Sequence, residues 1–218
     1  NLLLVVSMRE PAPNTLVIDK MTALAERNGI TPIIVFSKTD LASADELVDI
    51  YKTTGYSIFT VSPENKNDLE KIMRLLSGKL TAFTGNSGAG KSTLINALCP
   101  TLSLSTAEIS SKLGRGRHTT RQAEIFHVGD GLIIDTAGFS SLGLISNDPI
   151  LKDELASYFP EFQEYLGQCK FTSCAHIGEK GCKICEMVQK GIISKSRHDN
   201  YIELYNQAKS IKKWELSQ

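Results

Sequence analysis

The stretch that decides the fold lies near the middle of the chain. It reads Gly85-Asn86-Ser87-Gly88-Ala89-Gly90-Lys91-Ser92-Thr93. This is the pattern G-x-x-x-x-G-K-S, whose glycines let backbone N–H groups approach phosphate oxygens. A strand-like run, 80–84, precedes it and a helical run, 92–98, follows it, so the loop ends at a helix N-terminus that favours anions. We therefore predict a phosphate-binding loop in which Lys91 contacts the β- and γ-phosphates, Ser92 ligates Mg²⁺ and the other seven residues line the site.

The first half of the chain alternates strand-like and helical patterns. Apolar runs at 2–7, 32–36, 57–61 and 80–84 predict buried strands. The segments between them carry helix caps and helical spacing, beginning with a predicted cap at Asn14. Such alternation implies an α/β fold with a mostly parallel sheet, whose ligands bind at the carboxyl ends of the strands. Further on, 129–131 predicts a hairpin turn between two more strands.

A second motif, Ser37-Lys38-Thr39-Asp40, follows the second predicted strand. It is close to Asn/Thr-Lys-x-Asp, in which the aspartate accepts hydrogen bonds from guanine N1–H and its exocyclic amino group. Adenine lacks that donor pair, so Asp40 would select guanine over adenine. The stem of Lys38 would pack along the base. A serine at position 37 offers no amide N–H to the base, so we expect a lower affinity with specificity retained.

Val61 and Ser62 follow the third strand, where Ser62 could contact the guanine O6. The alternative is an ordinary strand exit.

A third motif, Asp135-Thr136-Ala137-Gly138, follows the last predicted strand. Asp135 would hold Mg²⁺ through water, and the Gly138 N–H would sense the γ-phosphate. In many GTPases a glutamine follows this glycine and orients the attacking water, whereas here Phe139 stands in its place. We therefore expect slow intrinsic hydrolysis that depends on another group or a partner.

The long segment 101–121 is basic and has little apolar periodicity, as is typical of a functional loop. His118 is a candidate for positioning the water; the alternative is that it only contacts phosphate or RNA. One of Thr119 and Thr120 should coordinate Mg²⁺ and contact the γ-phosphate, and we favour Thr120.

The motifs come in an unusual order. The guanine motif comes first, the phosphate-binding loop second and the D-x-x-G motif third. In an ordinary GTPase the phosphate loop comes first and the guanine motif last. Since each motif sits on its own strand tip, the same sheet can form from a circularly permuted chain, whose last switch leads directly into the C-terminal segment.

Four of the five cysteines fall within a short C-terminal stretch, which in an α/β protein favours metal over disulfides. The spacing Cys169-x4-Cys174-x-His176-x5-Cys182 suits tetrahedral Zn²⁺. Cys185 is an alternative fourth ligand because 182–185 is itself a C-x-x-C, and spacing alone does not choose between it and His176. Cys99 is predicted to be a core residue.

The chain of 218 residues has a formal net charge of +0, so no global basic field points to nucleic acid. We expect no membrane span, a cytoplasmic location and, because Asn1 already lies within a strand-like run, a missing preceding segment. The expected domains are 1–146 and 147–218, the second beginning with a helix at Pro149. The C-terminal amphipathic helix could present a basic face to RNA or simply be solvated.

Taken together, these motifs resemble those of the circularly permuted, ribosome small-subunit-dependent GTPase A family, over essentially the whole chain. The resemblance implies a circularly permuted P-loop GTPase domain followed by a small, mainly helical zinc-binding domain, with one zinc held by Cys169, Cys174, His176 and Cys182. It implies GTP and GDP as ligands with Mg²⁺, and the small ribosomal subunit and its rRNA as partners of a monomer. It also implies GTP hydrolysis stimulated by that subunit late in its maturation, and an N-terminal OB-fold in the full protein. Departures from the family pattern are Ser37 and Ala137.

Two other hypotheses remain at this stage. In one, the chain is a nucleotide-gated RNA- or ribosome-binding module in which hydrolysis is incidental. In the other, it is an ATP-dependent P-loop kinase. The effect of small subunits on GTP turnover separates the first from a GTPase, and nucleotide preference separates the second.

Overall fold

The computed structural model describes residues 1–62, 67–100, 124–135 and 149–211. Within these ranges the chain forms one sheet of six strands, in the spatial order β3-β2-β1-β4-β6-β5. All neighbours are parallel except the β5–β6 hairpin, which is antiparallel. The strands are β1 Leu2–Ser7, β2 Pro32–Ser37, β3 Ser57–Val61, β4 Leu80–Thr84, β5 Glu124–Val128 and β6 Gly131–Asp135. The predicted mostly parallel α/β sheet is thus confirmed.

The strand order places β1 between the strand that carries the guanine motif and the strand that carries the phosphate-binding loop. Backbone pairs align Leu2 with Pro32 on one side and with Ala82 on the other. Parallel neighbours present their carboxyl ends at the same edge. The exits of β2, β1, β4 and β3 therefore share one edge of the sheet.

Six α-helices occur in the described ranges: α1 Thr15–Arg27, α2 Asp45–Tyr51, α3 Asn67–Leu76, α4 Lys91–Leu98, α5 Lys183–Gln189 and α6 Lys195–Lys209. Asn14 caps α1 as predicted, its side-chain oxygen accepting from the Val17 N–H at 3.2 Å. None of the described helices has the length and apolar character that crossing a membrane requires.

The chain divides into two compact units. The first consists of Asn1–Pro13, Thr31–Ala44 and Ser57–Gly143, and the second of Asn14–Ile30, Asp45–Tyr56 and Leu144–Gln218. The helices α1 and α2, early in the sequence, thus group with the C-terminal part of the chain. This grouping is not visible in a linear division at residue 146, and the two-domain division stays a prediction.

The core of the first unit lies on one face of the sheet. Side chains at alternate positions of the strands, such as Leu3, Val35 and Phe83, pack with Ile72 of α3 and Ile95 of α4. The alternation follows from the two-residue period of a strand. Cys99 is 7% exposed and belongs to this core, which confirms its prediction as a core residue.

The prediction of a helix that begins at Pro149 is wrong. The described residues 149–154 contain no helix, and two short 3₁₀ helices follow, Leu155–Tyr158 and Pro160–Tyr165. Between them Phe159 has an extended backbone, with φ −111° and ψ 98°. Because a residue before proline is disfavoured in the α region, Pro160 divides the segment.

Candidate nucleotide and zinc sites

The phosphate-binding loop lies between β4 and α4, as the sequence predicts. A Cβ placed on Gly85 would lie 2.3 Å from the Val5 carbonyl oxygen of β1, so only glycine allows this approach. Gly90 precedes α4 with φ 91°, in the left-handed region that glycine tolerates. The backbone of the loop can therefore fold tightly against the neighbouring strand.

The charge at this loop suits an anion. The Lys91 ammonium donates to the carbonyls of Gly85 at 2.7 Å and Asn86 at 3.0 Å, so it lies inside the turn of its own loop. The first turn of α4 contains no acidic residue, and its N-cap is a glycine. A lysine beside the N-terminal N–H groups of a helix is an arrangement that fits a phosphate chain.

Ser37 links the guanine motif to this loop. Its hydroxyl donates to the Ala89 carbonyl at 2.6 Å, and lies 3.4 Å from the Val6 carbonyl oxygen. Ser37 is only 5% exposed. In the guanine motif, position 37 is expected to contact the base. In the structure, the Ser37 hydroxyl instead binds the backbone of the phosphate-binding loop.

The next residues of the motif bind neighbouring loops. Lys38 has φ 59°, and its ammonium donates to the carbonyls of Arg9 at 3.1 Å and Glu10 at 2.6 Å. The Thr39 hydroxyl donates to the Val61 carbonyl at 3.2 Å, which holds the guanine motif beside the 61–62 stretch. Asp40 is exposed and Ser62 half-buried. The structure thus brings 37–40, 61–62 and 85–93 to one edge of the sheet.

The loop after β1 is part of this edge, and sequence reasoning missed it. A Cβ on Gly88 would lie 3.8 Å from Pro11 Cδ and 4.0 Å from the Glu10 carbonyl oxygen. No sequence signal places this loop; only the strand order of the structure, with β1 between the guanine and phosphate strands, brings it between the two motifs.

Several predicted residues lie beyond what the structure describes. Thr120, His118, Gly138 and Phe139 fall outside the described residues. Asp135 ends β6, where its backbone pairs with Phe83 of β4, one residue before the end of that strand. Ser92, the other predicted Mg²⁺ ligand, is the second residue of α4 and is half-buried. The backbone therefore places Asp135 and Ser92 at the same edge as the phosphate-binding loop.

A second candidate site, in the second unit, is formed by Cys169, Cys174, His176 and Cys182. Their ligand atoms all lie within 4.8 Å of one another. His176 Nδ1 is 3.5 Å from the sulfur of Cys169 and 3.5 Å from that of Cys182, and these sulfurs are 3.9 Å apart. Tetrahedral zinc separates two sulfurs by about 3.8 Å, and a sulfur from a nitrogen by about 3.5 Å. The four residues fit one zinc ion.

Cys185 lies beside this group but not within it. Its sulfur is 3.9 Å from the His176 carbonyl oxygen and 3.9 Å from His198 Nε2. Of the two alternatives that the spacing left open, the structure brings His176 into the four-ligand group.

Burial holds three of the ligands in their uncharged forms, so the histidine is ready to bind a cation, whereas the thiols must lose a proton when one binds. Burial raises the pKa of the Cys174 and Cys182 thiols, and burial lowers the pKa of His176. The imidazole is therefore neutral near pH 7 and can offer a lone pair. Two backbone N–H groups already point at sulfurs, those of Lys183 at Cys169 (3.2 Å) and Cys185 at Cys182 (3.5 Å). Such donors favour thiolates once a divalent cation is present.

Comparison with known proteins identifies the family. A family model described as RsgA GTPase matches residues 1–145. The chain belongs to the RsgA GTPase family. It is 41% identical over 216 residues to the "Small ribosomal subunit biogenesis GTPase RsgA" of Geobacillus sp. (strain WCH70), covering 96% of this chain and 73% of the relative. The protein of the same name from Moorella thermoacetica is 39% identical over 203 residues, covering 92% and 69%.

Solved structures show the same relationship. The crystal structure of YjeQ from Thermotoga maritima superposes with a TM-score of 0.78 at 33% identity, covering 97% of this chain and 72% of that one. The structure of YloQ, described as a circularly permuted GTPase, superposes with a TM-score of 0.76 at 32% identity, covering 97% and 69%. The permuted order of motifs in this family member therefore agrees with the description of YloQ.

This family member also contains a buried ion network that sequence reasoning missed. Arg197 is 1% exposed; its guanidinium donates twice to Glu161, at 2.7 and 3.0 Å, and once to Asp19, at 2.6 Å. Asp19 also accepts from Tyr51 and Asn200, each at 2.7 Å. The network joins α1, α2, the second 3₁₀ helix and α6 within the second unit. No local sequence motif predicts this network, because Asp19 and Arg197 are 178 residues apart.

Proposed function

We propose that this chain binds and hydrolyses GTP in late maturation of the small ribosomal subunit, with hydrolysis stimulated by the subunit. The observation that carries the proposal is the hydrogen bond from Ser37 to Ala89, which joins a guanine motif to a phosphate-binding loop at one edge of the sheet. The relatives named above as small-subunit biogenesis GTPases support the same function.

In this proposal each motif has a distinct role. Asp40 accepts hydrogen bonds from the guanine N1–H and amino group, while Lys38 and Ser62 frame the base. Residues 85–93 surround the phosphates, and Lys91 offsets the charge that develops on the γ-phosphate oxygens. Stabilising the charge on the γ-phosphate oxygens requires no proton transfer. Lys91 and the loop N–H groups can therefore contribute even when no residue activates the attacking water.

Ser92 and Thr120 would hold Mg²⁺ directly, with Asp135 contacting it through water. When bound, Mg²⁺ supplies positive charge to the phosphate oxygens. Gly138 would sense the γ-phosphate and His118 would position the water. Because Phe139 cannot orient water, intrinsic turnover is slow and the subunit provides or orders the missing group.

The zinc site would stabilise the C-terminal part of the chain rather than take part in hydrolysis, since all four zinc positions are filled by protein ligands. We place the protein in the cytoplasm as a monomer that contacts the rRNA of the small subunit.

Multiple-turnover GTP hydrolysis tests the function. Phosphate release is measured with the chain alone, with purified small subunits and with large subunits as a control. Small subunits should raise the rate at least tenfold and large subunits should not, while Lys91→Ala should remove the activity in every case. If small subunits bind in a nucleotide-dependent way but leave the rate unchanged, the chain is a nucleotide-gated binding module instead.

A further inference from the structure

The backbone around His176 is held on both sides by residues that are not zinc ligands. His176 has φ 62°, in the left-handed region that non-glycine residues rarely adopt. In that conformation its Nδ1 lies 3.5 Å from two of the cysteine sulfurs. Something in the surrounding structure must offset the cost of this backbone conformation.

The N–H groups on either side of His176 are bound by one carboxylate. Glu179 accepts from the Ala175 N–H at 2.7 Å and from the Ile177 N–H at 2.9 Å. Each carboxylate oxygen takes one of these bonds, so Glu179 fixes the 176–177 peptide that follows the ligand and the 174–175 peptide one residue before it.

Two side chains of α6 form hydrogen bonds with carbonyl groups of the same segment. His198 Nε2 is 2.7 Å from the His176 carbonyl oxygen, and the Tyr201 hydroxyl donates to the Ala175 carbonyl at 2.8 Å. A carbonyl can only accept, so His198 carries its proton on Nε2. His198 is 7% exposed and Tyr201 1% exposed, so neither bond is easily exchanged for water. Tyr201 is in turn fixed by ring contacts with Phe159 and Phe162.

We propose that Glu179, His198 and Tyr201 form a clamp on residues 175–177 that preorganises His176 for zinc, and that Tyr201 and His198 are positioning residues for the site. This inference rests on the fit of the four ligands to zinc and is independent of the proposed GTPase function. Groups that orient ligands in this way typically change metal affinity about 10- to 100-fold when they are removed.

The test is the zinc affinity of the full chain, measured by competition with a chromophoric chelator. Tyr201→Phe removes only the hydroxyl that binds Ala175, and should weaken zinc binding about tenfold. Tyr205→Phe, one helical turn further along α6, is the matched control because Tyr205 packs against the same core. It should leave zinc affinity unchanged. His198→Leu should weaken binding more than His198→Gln, whose amide can still donate to the His176 carbonyl.

Thermal unfolding with and without zinc separates positioning from general stability. If the clamp preorganises His176, Tyr201→Phe destabilises the zinc-loaded chain more than the zinc-free chain. Equal destabilisation of both forms, or equal zinc affinities of Tyr201→Phe and Tyr205→Phe, would overturn the proposal. GTP binding, measured on the same samples, shows whether the first unit is intact in each variant.

Discussion

Replacing Ser37 with alanine should weaken nucleotide binding by separating the guanine motif from the phosphate-binding loop. The Ser37 hydroxyl donates to the Ala89 carbonyl at 2.6 Å, and the two residues are 5% and 1% exposed. Water therefore cannot replace the lost donor unless the loops move apart. A buried neutral hydrogen bond contributes about 1 kcal/mol, and leaving its acceptor unpaired can cost up to about 3 kcal/mol.

We expect a loss of about 1 kcal/mol in binding, because partial opening of the loops readmits water to Ala89. Since 1.4 kcal/mol corresponds to tenfold in affinity, the dissociation constant for GDP should rise about fivefold. A fluorescent GDP analogue, titrated against the chain, measures this change. Ser37→Thr is the control, because threonine keeps the hydroxyl and suits the last position of β2.

Two results would refute the reasoning. One is a Ser37→Ala variant that binds GDP as tightly as the parent chain. The other is a Ser37→Thr variant that loses as much affinity as alanine, since the defect would then come from packing rather than from the hydrogen bond. Denaturant unfolding of each variant shows whether the change in binding is larger than the change in stability.

The remaining predictions concern the base, the buried ion network and the metal. Asp40→Asn should lower GTP affinity at least tenfold and raise affinity for xanthosine triphosphate, whose C2 oxygen can accept from the new amide. If a competition assay shows an unchanged preference for GTP over xanthosine triphosphate, Asp40 does not recognise the base. Arg197→Met should lower the free energy of unfolding by about 3–5 kcal/mol, because Asp19 and Glu161 would keep buried charges without their partner. Lys195→Ala, which breaks an exposed ion pair with Asp199, should change the free energy of unfolding by less than about 1 kcal/mol. If denaturant unfolding shows the same loss of stability for both variants, the buried network of Arg197 is not a major source of stability. Removing zinc with a chelator should lower the melting temperature of the second unit, and zinc but not magnesium should restore it; an unchanged melting curve would mean that the four ligands hold no structural metal.

The sequence alone predicted a mostly parallel α/β sheet, which the structure confirms, and it assigned roles to the loops that remain predictions. Alternating apolar runs and helix caps predicted β1 to β4 and α1, because these signals are local and report directly on burial and backbone conformation. The spacing of glycines and Lys91 predicted a phosphate-binding loop for the same reason, since the loop is a single continuous segment. The cysteine spacing likewise predicted a zinc site from ligands within fourteen consecutive residues, and the structure brings those four ligands together.

Only the tertiary structure decided which partners these residues take. The Ser37 hydroxyl meets Ala89, 52 residues away, and Lys38 meets the loop after β1. The structure brings His176 rather than Cys185 into the four-ligand group, and His176 has a left-handed backbone whose neighbours bind Glu179 and Tyr201, which no spacing rule contains. A hydrogen bond is specified by distance and direction in space, so residues far apart in the chain carry no local signal of the bond they will form.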